Sequence, residues 1–192
     1  MKRKLVITFS SVYVLFMAVL IIIYYLNGET YKTLVAVGGV VCGAIPLLLA
    51  LFTKLQFNLP IVISYLIFLF ASQYLGTIMN WYGLGWWDTF VHFISGAILS
   101  FTGIALFERL THTKTNKEIS PWFIFLFTLS VATLGGVIWE IYEFSVSYFF
   151  NTVLQANNTD TMTDLIADTL GGLIVAIWSG VRTKSKYMKR SV

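Results

Sequence analysis

Charge is scarce in this chain. Only 11% of its 192 residues are charged, while 57% are hydrophobic. A soluble domain carries about 25% charged residues. The shortage excludes a soluble enzyme, a disordered chain and a nucleic-acid-binding domain. Cysteine is nearly absent: Cys42 stands alone inside an apolar run, which excludes an internal disulfide and a thiolate-built zinc site. There are three prolines, no low-complexity linker and no clear internal repeat, so residues 1–192 read as a single polytopic domain. The apolar runs lack period-two alternation, which argues against membrane strands. Lys and Arg exceed Asp and Glu by 13 to 9. On so oily a chain, that excess points to membrane lipid as the partner, with no nucleic acid.

Long apolar runs are what the chain does have. A membrane span takes roughly 20 mostly apolar residues. Six windows fit, at about 5–26, 34–52, 59–78, 87–107, 122–149 and 163–181. The expected fold class is therefore an all-α integral membrane protein with six transmembrane helices. Positive residues cluster at Lys2–Lys4, Lys54, Arg109–Lys117 and Arg182–Arg190, leaving only Lys32 on the other side. With both termini cytoplasmic, 12 of the 13 lie inside. An odd number of spans would put one basic terminus outside. The basic start and first apolar run resemble a signal peptide, but the run is long and no A-x-A site follows, so it reads as a retained span. Pro60 and Ser120-Pro121 read as helix starts, and Pro46 predicts a kink in the second span. Trp81, Tyr82, Trp86 and Trp87 predict an aromatic belt at the outer interface.

Of nine acidic residues, Glu29, Asp160, Glu108 and Glu118 are assigned to loops. The other five, Asp88, Glu140, Glu143, Asp164 and Asp168, lie in or at the ends of spans, together with His92. No Lys or Arg lies within a span to offset them. Spans four and six enter from outside, carrying Asp88/His92 and Asp164/Asp168 near their starts. Span five runs outward, and Glu140 stands about 27 Å along it, in a core about 30 Å thick. Three helices thus deliver their ionisable groups to one depth near the outer surface. The i,i+4 and i,i+3 spacings put each pair on one helix face. Beneath them run small residues: Gly96, Ser100 and Gly103; Gly136 and Ala132; Gly172, Ala176 and Gly180. Small-residue stripes let membrane helices approach closely. The expected picture is a bundle of spans four to six, tight in its inner half and open to an acidic pit outside. Gly39 and Gly43 give span two a similar stripe.

Crowded carboxylates repel one another and are costly inside a membrane. Protons or a bound cation would offset that cost. His92 among the acids favours a divalent metal ion as cofactor, held by Asp88, His92, Glu140, Glu143, Asp164 and Asp168. Glu143 stands nearest the outer water as a general base. Two bland readings stay beside this one. The acids could be polar glue between helices, and Asp88 or Asp164 alone could complement a helix dipole. His112 reads as a solvated loop residue.

Three blocks carry a family resemblance: Asp88-Thr-Phe-Val-His92-Phe93, Trp139-Glu140-Ile-Tyr-Glu143 and Asp160-Thr-Met-Thr-Asp164. They resemble the YjdF-type family of bacterial inner-membrane proteins. Asp164-Leu-Ile-Ala-Asp168-Thr-Leu-Gly-Gly is also similar to the last signature of the broader VanZ-like group. The resemblance covers roughly residues 60–181. It implies a multi-pass protein of the bacterial inner or cytoplasmic membrane. The VanZ-like cations are missing: Thr89 follows Asp88, and no Arg stands between Asn151 and Met162. A glycopeptide-resistance role is therefore not carried over. Three functions stay open. One is a metal-dependent site acting on an envelope lipid or cell-wall precursor. Another is proton- or ion-coupled transport, for which six spans are few unless the chain forms a homo-oligomer. The third is a structural or regulatory membrane protein.

Overall fold

A computed structural model describes residues 2–53, 58–110, 119–150 and 154–188, with the side chains of 110, 150 and 184–188 excepted. The regular structure among these residues is entirely helical. The long helices are α1 (Lys2–Leu26), α2 (Thr30–Phe52), α3 (Leu59–Leu69), α4 (Trp87–Leu110), α5 (Pro121–Phe150) and α6 (Asn158–Met188). Helix α3 continues as a π-helical stretch, Phe70–Ile78, followed by a 3₁₀ turn, Trp81–Leu84. Six helices are long and apolar enough to cross a membrane. Lys54, Lys114, Lys117, Lys189, Arg190, His112 and Glu118 lie outside the described residues.

Most helices overrun their apolar windows by a few residues. Hydropathy marks the hydrocarbon thickness, whereas backbone hydrogen bonding continues until a cap ends it. The largest departure is at α6, which starts at Asn158 and not near Thr163. The Asn157 side chain is the cause. Its Oδ1 accepts hydrogen bonds from the backbone amides of Thr159 (2.9 Å) and Asp160 (3.1 Å). Asp160, expected in a loop, therefore sits in the first helical turn, where its charge complements the helix dipole.

The chain forms two compact units, residues 1–88 and 89–192. In the first, α1 and α2 are joined by a tight turn in which Gly28 adopts φ +72°, a conformation costly for any side-chain-bearing residue. The Gly39/Gly43 stripe is occupied: a Cβ at Gly39 would press on Met17, and one at Gly43 on the Tyr13 ring. Tyr13 then donates to Gln73 Oε1 at 2.8 Å, and Tyr65 to the Cys42 carbonyl at 3.1 Å. Arg3 binds the last carbonyls of α2, with Nε 2.7 Å from Ala50 O and Nη2 3.2 Å from Leu51 O. That is where a cation favours a helix C-terminus. Helix α2 runs on through Pro46. Pro60 stands in the first turn of α3, as its fixed φ suits. Trp87 packs edge-on against Trp81 and Trp86, at ring-centroid distances of 4.7 and 5.4 Å.

In the second unit, small residues set the helix spacing. A Cβ at Gly96 of α4 would run into the Asp168 carbonyl of α6, and one at Gly171 into the Phe93 carbonyl. The two backbones therefore touch. Gly172 lies against Ala132 of α5 and Ser100 of α4, and Gly103 against Val131. Gly96, Ser100, Gly103, Ala132, Gly136, Gly172 and Ala176 are all buried, as the stripes predicted. Ser100 Oγ reaches the Thr128 and Gly172 carbonyls, each at 3.4 Å, and so touches both neighbouring helices. Leu134, Ile138 and Ile141 of α5 are exposed, as lipid-facing residues should be.

Candidate metal centre

The site grows out of that backbone contact. With α4 and α6 touching at Gly96 and Gly171, His92 one turn before Gly96 is carried against the face of α6 that holds Asp164 and Asp168. An i,i+4 pair lies about 6 Å apart along the axis, enough to bracket an imidazole. His92 Nδ1 lies 2.8 Å from Asp168 Oδ2, and Nε2 lies 3.9 Å from Asp164 Oδ2. The ring thus has a carboxylate on each nitrogen side. All three residues are deeply buried: His92 is 6% exposed, Asp164 2% and Asp168 1%.

Hydroxyls of α4 complete the contacts. Thr89 Oγ1 donates to Asp164 Oδ1 at 3.4 Å, and Ser95 Oγ donates in close contact to Asp168 Oδ1. Helix α5 closes the third side. A Cβ at Gly136 would lie 2.7 Å from Asp168 Oδ2, so only glycine leaves that carboxylate its place. Glu140 is one turn further along α5 and is 5% exposed. Glu143 is half-buried, and its Oε1 accepts the Trp139 indole N–H at 2.8 Å.

Asp88 lies one turn before His92 on α4; the division between the units falls just after it, inside the helix. Asp88, His92 and Asp164 each offer one donor atom, and the three atoms lie within 4.8 Å of one another. Ligand bonds of about 2 Å would bring donors of one ion to within about 4 Å of one another, so these three could hold a divalent ion after a small inward adjustment of their side chains. Of the six residues singled out by sequence, these three share one locus. Asp168 occupies the opposite nitrogen of the same histidine, Glu140 is buried a turn above Gly136, and Glu143 engages Trp139. Thr89 and Ser95 were missed. Their only signal is spacing: each stands three residues from His92 on the same helix, so their hydroxyls share its face.

Six helices long and apolar enough to span a membrane, with an imidazole bracketed by carboxylates between α4 and α6, define a multi-pass membrane protein with a buried ionisable site. The chain belongs to the family of predicted membrane proteins DUF2238, which matches residues 9–185. That match takes in most or all of every span. It agrees with the YjdF-type resemblance and lends no support to the VanZ-like one. No curated protein and no solved structure matches the chain.

Proposed function

We propose that this protein binds a divalent metal ion inside its helices, through Asp88, His92 and Asp164. One observation carries the reading: three donor atoms of the right chemistry converge within 4.8 Å. One imidazole nitrogen and two carboxylate oxygens suit zinc, manganese or iron. A cation also offsets the cost of holding acids at membrane depth with no Lys or Arg within the apolar windows. Three protein donors leave coordination positions for water or a substrate oxygen, as a hydrolytic centre needs. The positive-inside pattern supports placing the site toward the outer face, and the YjdF-type resemblance supports a bacterial cell membrane. An envelope lipid or cell-wall precursor is the substrate class within reach there.

Melting curves of detergent-purified protein test the reading. A ligand that binds only the native state at 100 times its Kd stabilises by about 2.7 kcal/mol. Chelation should lower the melting temperature, and added zinc or manganese should restore it. His92→Ala and Asp164→Asn should blunt the response, while His112→Ala should leave it intact. Metal-loaded protein that is indifferent to chelator would overturn the proposal and leave the acids as interhelical glue.

A further inference from the structure

We infer that Asp168 is a positioning residue: it holds His92 in the tautomer that presents Nε2 to the ion, and Ser95 holds Asp168. This rests on the metal reading above. Asp168 is 1% exposed, and both its carboxylate oxygens have partners. Oδ2 lies 2.8 Å from His92 Nδ1, and Oδ1 accepts the Ser95 hydroxyl. With Asp168 ionised its carboxylate can only accept, which assigns the proton of that 2.8 Å contact to Nδ1. The neutral imidazole then carries its lone pair on Nε2, the nitrogen that faces Asp164. Metal-bound histidines commonly give their other N–H to a carboxylate, which fixes the ring and makes it a stronger ligand. Gly136 makes room for this carboxylate against α5, where an added Cβ would come within 2.7 Å of Oδ2. The two acids of α6 thus divide the work: Asp164 is a ligand, and Asp168 holds a ligand in place.

Two measurements on the full-length chain separate this role from the metal reading. The first is ¹⁵N NMR of the metal-free protein, labelled at histidine and carrying His112→Gln so that one imidazole remains. A neutral Nδ1–H tautomer is expected, retained in Asp168→Asn and lost in Asp168→Ala. An Nε2–H tautomer in the otherwise native site would overturn the clamp whatever the metal does. The second is the cobalt(II) absorption spectrum. Asp168→Asn should keep the wild-type band positions and bind cobalt about 10–100-fold more weakly, and Ser95→Ala should weaken it less. Asp164→Asn should change the bands themselves, because a ligand is lost. If Asp168→Asn shifts the bands as Asp164→Asn does, Asp168 is a ligand and the inference fails. If the wild type takes up no cobalt, the metal reading fails, and the tautomer measurement still shows whether the clamp exists.

Discussion

Replacing Gly96 with alanine adds one methyl group where α4 and α6 touch backbone to backbone. The atoms it would meet are the Asp168 carbonyl oxygen, carbonyl carbon and Cα. None of these can rotate aside, so the helices must part, by on the order of 1 Å in a close-packed interface. Overpacking of this kind costs about 1–3 kcal/mol. The same displacement reaches the site, because Gly96 is one turn from His92. Parting the helices by that amount stretches the 2.8 Å contact between His92 and Asp168 past the hydrogen-bond limit. Gly96→Ala should therefore lower stability in detergent and weaken metal uptake together. Gly38→Ala is the matched control, since nothing lies within 4 Å of a Cβ there. In a helix interior it should gain roughly 0.5–1 kcal/mol. The assay is equilibrium unfolding of both variants beside the wild type, with metal titration of each. If Gly96→Ala proves as benign as Gly38→Ala, the backbone contact does not build the site.

Other expectations follow from single contacts. Asn157→Ala removes the cap of α6 and should cost about 1 kcal/mol, with faster amide exchange confined to the first turn of that helix. Tyr13→Phe deletes the 2.8 Å bond to Gln73 and should destabilise the first unit by about 0.5–1.5 kcal/mol, leaving metal binding unchanged. Gly136→Ala places a methyl 2.7 Å from Asp168 Oδ2 and should weaken metal binding more than it lowers the melting temperature. Reporter fusions after Arg190 should read cytoplasmic, and fusions within 154–157 should read external. Opposite signals would reverse the assigned face of the site.

The spans were legible because bilayer thickness writes itself into run length, and hydrocarbon contact demands apolar side chains all along the run. The small-residue stripes were legible for a similar reason: Gly96, Gly136 and Gly172 stand where an added Cβ would press on a neighbouring helix. Less of the rest could be read. The start of α6 turns on one Asn157 side chain, which a hydropathy window does not register. The π-helical stretch at Phe70–Ile78 has no compositional mark, and neither does the division between Asp88 and Thr89. For the site, spacing showed that Asp164 and Asp168 share a face with an imidazole opposite. It could not show which nitrogen meets which acid, because that depends on ring rotation and on the Gly96/Gly171 crossing point. Glu143 shows the same limit: i,i+3 from Glu140 places it on the same side of α5, yet its carboxylate engages Trp139 within its own helix.

The most direct test is metal content. Full-length protein should be purified without chelator, equilibrated with zinc or manganese, freed of unbound ion and analysed for metal per chain. Wild type should retain one divalent ion per chain, and Asp164→Asn and His92→Ala, folded by melting curve, should retain far less. Equal metal in all three, or none in the wild type, would contradict a site built on Asp88, His92 and Asp164.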